Sequence, residues 1–307
     1  SFPAMMKRNL MKGSVIPRYS GLPTVLKENG YYNLFFMTHE GQYDNMNAFF
    51  RTNGYDEVFS QENYPADKVV NSFGVQDDFL YDYAIPVLNQ RAATGEPFFA
   101  TLLSISNHPP YVIPPFFHPK TSEPETQIVE YADWALRKFF EEARKQLWFD
   151  NTIFVLEGDH GKLVGDAECE LPESYNHIPL MIYSSCIHPE EKNTFGGQVD
   201  IQPTILGLLN IDYLQNNFGV DLLKEERPCM FYTADNMIVG RNDTLLYLYN
   251  YETQQEFTYH IDNGKLKAVP MDDRFLPLKE YSFSMLQSAE FLVKHGKTVN
   301  SVPFTQQ

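Results

Sequence analysis

The sequence is poor in cysteine, in positive charge and in long apolar runs. It has only three cysteines, in no metal-site spacing, so neither a disulfide framework nor a cysteine metal centre is predicted, and the redox compartment stays open. Lysine and arginine total 24 against 40 acidic residues, a net charge of −16, which argues against a nucleic-acid-binding surface. No apolar run approaches the ~20 residues that span a bilayer. The chain begins Ser-Phe-Pro without a signal peptide, so we expect a fragment or a mature extracellular domain.

The composition that remains is that of a folded, aromatic-rich protein. Hydrophobic residues make up 43% and charged residues 21% of the chain, which is typical of globular domains. The 24 Phe and 19 Tyr residues predict a large aromatic core. The acidic balance does not exclude an anionic substrate, because a bound metal ion can supply local positive charge.

Helices and strands alternate through the first two thirds of the chain. A helix over Leu22–Asn29 precedes a strand over Tyr31–Phe36. A strand over Pro97–Ser106, an amphipathic helix spaced from Ile128 to Leu147 and a fully buried strand over Thr152–Leu156 then follow. This order is typical of a βαβ crossover with parallel strands. It predicts a layered α/β/α sandwich around a mostly parallel central sheet.

The last part of the chain has a different pattern. Three segments between residues 244 and 269 alternate polar and apolar residues, and Asp262-Asn263-Gly264 predicts a tight turn between two of them. A helix from Leu278 to His295 follows. We therefore predict a catalytic α/β domain over residues 1–225, with small antiparallel strands and a closing helix over residues 226–307 packed on it.

Ionisable and amide side chains gather where the predicted strands end. The candidates are Glu40, Asn45, His108, Asp159, His160 and His177. The carboxyl ends of parallel strands share one sheet edge, where α/β proteins bind ligands. Asp159 and His160 are residue types that bind divalent metals, although Gly-Asp-His is also an ordinary turn sequence. His177 precedes its strand, so it reaches the same edge only if that strand is antiparallel or at the sheet edge.

Other acidic residues have structural interpretations. Asp44 is predicted to be the N-cap of a helix that runs to Asn53, and Asp200 the N-cap of a later helix with Pro203 in its first turn. A run of acids before residue 177 is more typical of a solvated active-site loop than of metal ligands. These acids are Asp166, Glu168, Glu170 and Glu173.

Several motifs occur in a specific joint order. They are Gly158-Asp159-His160-Gly161, Ser106-Asn107-His108-Pro109-Pro110, His177-Ile178-Pro179-Leu180-Met181-Ile182-Tyr183 and Gln198-Val199-Asp200-Ile201-Gln202-Pro203-Thr204. Together they resemble the sulfatase-type branch of the alkaline phosphatase superfamily. Within it the sequence is most similar to the extracellular domain of lipoteichoic acid synthases and related phosphoglycerol transferases, over most of residues 1–225.

The resemblance implies a metal site and a set of substrate contacts. One divalent ion would be held in part by Asp159 and His160, with Mn²⁺ expected and Zn²⁺, Mg²⁺ or Ca²⁺ as alternatives. His108 would bind the substrate and act in catalysis. The remaining substrate contacts would be Glu40, Asn45 and His177.

The function implied is a metal-dependent, phosphoglycerol-type phosphoryl transfer through a covalent Thr intermediate, outside the cytoplasm, on anionic lipid- or glycan-linked substrates. That Thr, a further acidic metal ligand and a membrane tether are expected upstream of Ser1, so residues 1–307 alone are expected to be inactive. One alternative is a sulfatase or phosphodiesterase of the same fold, although no cysteine lies in a Cys-x-Pro-x-Arg motif. The other is a noncatalytic glycan- or lipid-binding domain.

Overall fold

The structure is a computed structural model that describes residues 2–6, 11–12, 16–163 and 165–299. In this part of the chain the helices are α1 (Leu22–Glu28), α2 (Met46–Thr52), α3 (Asp77–Ala92), α4 (Pro124–Ala143), α5 (Ile201–Leu208) and α6 (Leu276–Lys294). The strands are β1 (Tyr32–Met37), β2 (Glu57–Phe59), β3 (Val69–Asn71), β4 (Gly74–Val75), β5 (Phe98–Leu103), β6 (Phe154–Glu157), β7 (Leu180–Tyr183), β8 (Met230–Ala234), β9 (Met237–Arg241), β10 (Leu245–Asn250), β11 (Gln255–Asp262) and β12 (Lys265–Ala268).

A parallel sheet with strand order β2-β1-β5 lies between two layers of helices. Successive residues of β1 point to opposite faces, as in any strand. Leu34 and Phe36 pack in the core that includes α3 and α4, whereas Phe35 and Met37 pack on the other face with residues of α2. A central parallel strand is covered on both faces, which explains its continuous apolar run. The predicted layered α/β architecture is confirmed.

Strand β6 differs from its prediction in pairing and in burial. It pairs antiparallel with β7, with Phe154 opposite Tyr183, and its residues are half-buried or exposed rather than fully buried. Within the described residues β6 and β5 share no hydrogen-bonded ladder, so the expected parallel pair is wrong. The two strands are still linked through side chains, because the Trp148 ring contacts both Phe98 and Phe154.

The predicted helix cap at Asp44 is also wrong. Asp44 adopts a left-handed conformation with φ 49°, and its carboxylate forms an ion pair with Lys12 at 2.6 Å. Asn45, with φ 61°, directly precedes α2 and makes no capping hydrogen bond with its side chain. Two successive left-handed residues bend the chain sharply, and this bend places the Asp44 carboxylate beside the lysine.

The C-terminal sheet has five antiparallel strands in the order β12-β11-β10-β9-β8. Three of them and the turn at Asn263-Gly264, where both residues have positive φ, were predicted, but β8 and β9 were missed. Helix α6 packs so closely on this sheet that a Cβ on Gly240 would lie 2.8 Å from the Leu278 carbonyl oxygen. No helix in the described ranges has the length and apolar character needed to cross a bilayer.

A buried ion pair connects this C-terminal part to α5. The carboxylate of Asp200 and the guanidinium of Arg227 are almost fully buried and hydrogen-bonded to each other. Asp200 occupies the predicted N-cap position before α5, but its side chain makes no capping hydrogen bond to that helix. Its carboxylate instead accepts the N–H groups of Gly197 at 2.9 Å and Val220 at 2.8 Å. Arg227 further donates to the Tyr281 hydroxyl of α6 at 3.1 Å. The Asp200 carboxylate and Arg227 together therefore form a structural joint, by which we mean the buried contact that connects α5 with α6.

Candidate active site

Asp159 and His160 follow β6, and their side chains converge. The carboxylate Oδ2 of Asp159 lies 3.7 Å from Nε2 of His160, and both side chains are exposed. The other imidazole nitrogen, Nδ1, lies 2.8 Å from the carbonyl oxygen of Gly161. Because a carbonyl oxygen only accepts, Nδ1 carries the proton and Nε2 of the neutral ring keeps its lone pair. One carboxylate and one imidazole lone pair are a donor set that suits a divalent ion.

The segment before β7 packs closely against this turn. A Cβ on Gly161 would lie 2.0 Å from the carbonyl oxygen of Ser174, and a Cβ on Gly158 would lie 3.3 Å from the Ile178 side chain. His177 lies between these two points of approach and is exposed. The antiparallel course of β7 therefore returns His177 to the neighbourhood of the turn. Its role as a substrate contact stays a prediction.

The acidic loop that precedes β7 is not solvated throughout, contrary to its prediction. Glu170 accepts a hydrogen bond from the Tyr259 hydroxyl, and Glu173 forms an ion pair with Arg241. Leu171 is 2% exposed and belongs to the core of the antiparallel sheet. Burial of this leucine brings the loop onto the sheet, where two of its carboxylates find partners.

His108 is exposed in the loop that follows β5. Its Nδ1 lies 2.7 Å from the carbonyl oxygen of Pro109, and its ring centroid lies 4.2 Å from that of Phe73. The carbonyl again fixes the proton on Nδ1, which leaves Nε2 as the nitrogen available to a ligand. His108 lines a small pocket together with Val70, Asn71, Phe73, Gln76, Ser106 and Val112.

A buried network holds the strand end that leads to His108. The Asp77 carboxylate, on a residue that is 2% exposed, accepts the N–H groups of Ile105 at 2.9 Å and Ser106 at 3.0 Å. The Ser106 hydroxyl accepts the Asp77 N–H and donates to the Gln76 side chain. Burial raises the pKa of the Asp77 carboxyl, against the hydrogen bonds that lower it. Because Asp77 is the first residue of α3, this helix and the loop are held as one unit.

Glu40 follows the buried end of β1, and its own side chain is exposed. Its carbonyl oxygen lies 3.1 Å from Nδ1 of the buried His39. The next residue, Gly41, donates its N–H to the Glu62 carboxylate at 3.2 Å. A hydrogen bond from the Ser60 hydroxyl holds the pKa of Glu62 below its usual range. The backbone around Glu40 is therefore fixed while its carboxylate is open to solvent.

Asn45 belongs to a different neighbourhood. Its side-chain Nδ2 donates to the carbonyl oxygen of Met11 at 2.9 Å. This hydrogen bond goes to the N-terminal segment rather than to the turn that carries Asp159. Substrate contact by Asn45 stays a prediction that these contacts do not test.

The ends of β1 and β5 are joined by the hairpin of β3 and β4. Gly74 has φ +90°, and a Cβ there would lie 1.8 Å from the carbonyl oxygen of Thr38. The same carbonyl accepts the Val75 N–H at 3.2 Å. Phe73, in the turn of the hairpin, packs on His108. One hairpin thus links the strand end before Glu40 to the loop of His108, and only glycine permits the approach.

A looser contact links the His108 loop to the Asp159 turn. The Lys162 ammonium lies 5.8 Å from the ring centroid of Tyr111, within reach of a cation–π interaction. The two segments therefore face each other, although no hydrogen bond between their predicted site residues is seen in the described chain. Among the residues described, no cluster of three or more His, Cys, Asp or Glu side chains is arranged to hold a metal. Asp159 and His160 could supply two ligands to a divalent ion, which is only part of its coordination shell.

Three supporting residues were not predicted from sequence. They are Glu62, Asp77 and Gln198. Each holds the backbone of a segment that is distant in sequence, and a local pattern does not show such a partner. Gln198 carried the one available signal, since it opens a motif that had already been singled out.

Comparison with known sequences gives consistent matches. The sulfatase family model matches residues 3–211. Lipoteichoic acid synthase 1 of Bacillus subtilis is 26% identical over 274 residues, which cover 81% of this chain and 41% of that protein. Phosphoglycerol transferase I of Xanthomonas campestris is 26% identical over 243 residues, which cover 75% of this chain and 34% of that protein. The chain thus spans about two fifths or less of the length of these curated relatives.

Solved structures show the same fold. A protein of the alkaline phosphatase superfamily from Vibrio parahaemolyticus aligns with a TM-score of 0.86 and 26% identity, over 98% of this chain and 74% of that one. The lipoteichoic acid synthase LtaP from Listeria monocytogenes aligns with a TM-score of 0.77 and 22% identity, over 97% of this chain and 76% of that one. At that identity the second match supports the fold alone.

Proposed function

The chain belongs to the sulfatase family, and from this membership we propose that it serves a metal-dependent phosphoryl transfer of the phosphoglycerol type. Its relatives include enzymes named lipoteichoic acid synthase and phosphoglycerol transferase. The observation that carries the proposal is the converging pair of Asp159 and His160, whose carboxylate Oδ2 and imidazole Nε2 lie 3.7 Å apart. The loop of His108 faces this turn through the contact between Tyr111 and Lys162. A carboxylate and an imidazole lone pair can hold a catalytic metal ion, and a second histidine can act as a general acid or base in phosphoryl transfer.

Asp159 and His160 would hold the divalent ion, for which we propose Mn²⁺. When bound, such an ion supplies positive charge that stabilises phosphoryl oxygens and lowers the pKa of a coordinated hydroxyl. The described residues contribute two donors, so the rest of the shell belongs to groups that we do not assign. The Nδ1–H bond from His160 to Gly161 keeps Nε2 free to coordinate, as in other metal-bound histidines.

His108 would act on the substrate itself. With Nδ1 bound to the Pro109 carbonyl, Nε2 of the neutral ring would take a proton from an attacking hydroxyl. Once it holds that proton, Nε2 would donate a hydrogen bond to a phosphoryl oxygen or give the proton to the departing alkoxide. Ring contact with Phe73 and the Asp77 network below fix the position of this imidazole. Glu40 and His177 would contact the hydroxyl groups of the substrate from neighbouring segments.

We further propose a covalent phospho-Thr intermediate and an anionic lipid- or glycan-linked substrate outside the cytoplasm, for a membrane-tethered protein. These finer points come from the likeness to the named relatives, and none of the described residues is assigned as the nucleophile. A metal ion would supply positive charge at the site, which makes an anionic substrate compatible with a chain whose net charge is −16.

The proposal is tested with the whole protein on vesicles that contain fluorescent phosphatidylglycerol. We expect Mn²⁺-dependent release of fluorescent diacylglycerol, and a fall of roughly 10²- to 10⁴-fold in kcat for His108→Ala. His295→Ala is the matched control, because its Nδ1 also lies 2.7 Å from a carbonyl oxygen, that of Phe291, and its ring also lies 4.2 Å from a phenyl ring. It should keep full activity.

Two other outcomes would contradict the proposal. Cleavage of 4-nitrophenyl sulfate or of bis(4-nitrophenyl) phosphate without action on the lipid would favour a hydrolase. Binding of lipid or glycan without turnover, and without any effect of Mn²⁺, would favour a noncatalytic domain.

A further inference from the structure

We propose that Gln198 is a positioning residue for the Asp159–His160 pair. Its side-chain Nε2 donates to the carbonyl oxygen of Gly158 at 3.1 Å and to that of Asp159 at 2.9 Å. An amide nitrogen carries two hydrogens, so both donors of this side chain are used on one turn. The inference rests on the proposed function, because the pair that Gln198 positions is the proposed metal site.

The other restraints on the turn come from its own backbone and from the segment before β7. Asp159 uses its own Oδ1 to accept the His160 N–H at 2.9 Å, so the direction of the carboxylate follows the local backbone. On the far side, the Gly161 N–H donates to the Tyr175 carbonyl at 2.8 Å. The Gln198 amide is therefore the side-chain restraint on the two peptide groups that lead into the pair.

Gln198 is itself exposed, but the backbone that carries it is fixed. It begins a 3₁₀ turn, Gln198–Asp200, whose last two residues are buried. Asp200 accepts the Gly197 N–H and is bonded to the buried Arg227. A Cβ on Gly197 would lie 2.7 Å from the Met230 side chain. The contacts of Asp200 with Arg227 and of Gly197 with Met230 therefore fix the position of the Gln198 backbone, and with it the reach of the side-chain amide.

A continuous set of contacts therefore joins helix α6 to the Asp159–His160 pair. It runs from the Tyr281 hydroxyl to Arg227, to Asp200, along the 3₁₀ turn to Gln198 and on to Asp159. Second partners of this kind orient metal ligands, and their loss typically weakens metal affinity by about 10- to 100-fold.

The test is Gln198→Met, which keeps the length of the side chain and removes both donors. The whole protein is labelled with ¹⁵N-histidine, and Mn²⁺ is titrated while paramagnetic broadening of the His160 resonance is followed. We expect the variant to require roughly tenfold more Mn²⁺ than the wild type for the same broadening. The midpoint of thermal unfolding should change little, because the lost bonds are solvent-exposed.

Gln127→Met is the matched control. The Gln127 side chain also donates to a carbonyl oxygen, that of Thr121, at 2.9 Å and in an exposed position. It should leave the Mn²⁺ titration unchanged. A direct sign of the lost bonds is available as well, since the ¹³C shifts of the Gly158 and Asp159 carbonyls should move in Gln198→Met alone.

The possible failures are distinguishable. If Mn²⁺ does not broaden His160 in the wild type, the proposed metal site is wrong. If it does, and Gln198→Met titrates like the wild type, the metal site stands and the positioning role of Gln198 is wrong. Equal loss of Mn²⁺ affinity in Gln127→Met would also overturn the assignment, because the effect would then not belong to this turn.

Discussion

In the N-terminal α/β part, candidate residues lie after strand ends: Glu40 and His108 follow β1 and β5 of the parallel sheet, and Asp159 and His160 follow β6, which pairs antiparallel with β7. The antiparallel C-terminal sheet carries none of the candidate residues. It nevertheless contacts the site, because Tyr259 and Arg241 hold the acidic loop that leads to His177. The N-terminal α/β part supplies the candidate chemical groups. The C-terminal sheet supplies side chains that hold the loop before His177 in place. We expect mutations in the two regions to separate into effects on chemistry and effects on stability.

The largest expected effect comes from removing the buried Asp200–Arg227 ion pair, which connects α5 to the C-terminal part. Arg227→Ala leaves the Asp200 carboxylate buried without its cation, which should cost about 3–5 kcal/mol of unfolding free energy. Urea denaturation measures this loss. Arg274→Ala removes a cation from an exposed pair with Asp272 and should cost far less, because water screens such a pair. Similar small losses in both variants would show that the buried pair is not a joint.

A smaller effect is expected when the acidic loop loses its contact with the sheet, and it should appear as local motion of the loop rather than as a large loss of global stability. Arg241→Ala removes the partner of Glu173, and because this pair is about a quarter exposed the loss should be about 1 kcal/mol. Hydrogen exchange in the loop before His177 should rise more than exchange in β10. Lys267→Ala, an exposed cation on the same sheet, is the control. Uniform exchange throughout the Arg241→Ala variant would contradict a local restraint.

The smallest effect concerns pH and lies wholly in the C-terminal region. A hydrogen bond from the Lys279 ammonium holds the pKa of Glu256 below its usual value. A carboxyl with a depressed pKa stabilises the fold above its unfolded pKa, near ~4.3, and loses this contribution as pH falls through the folded pKa. The difference in unfolding free energy between wild type and Glu256→Gln should be well under ~1 kcal/mol at neutral pH and vanish in acid. A constant difference would mean that charge is not its source.

Local sequence patterns predicted the parts of the fold that depend on local physics. The strand β1, the closing helix α6 and the turn at Asn263-Gly264 all matched the structure. The turn between β8 and β9 carries the same kind of signal, because Asp235 and Asn236 both have positive φ. Its asparagine could have revealed the missed hairpin.

The failures share a cause, which is a partner distant in sequence. Asp44 has the residue type of a helix cap, yet Lys12 and a left-handed backbone determine its place. Glu173 was read as solvated because Arg241 lies 68 positions away. Strand β6 was assigned a parallel neighbour from chain order, although the hydrogen bonds go to β7. Periodicity and spacing do not encode such pairings.

The close approach at Gly161 has a consequence for reading mutational scans. Any side chain there would meet the Ser174 carbonyl, since even a Cβ would lie 2.0 Å from its oxygen. Saturation mutagenesis would therefore show near-total intolerance at Gly161 beside tolerance at the exposed Lys162. Ranked by fitness alone, Gly161 would score with His160 as if it took part in the reaction. Measuring the amount of folded protein and the turnover rate separately would assign the effect at Gly161 to steric exclusion and the effect at His160 to chemistry.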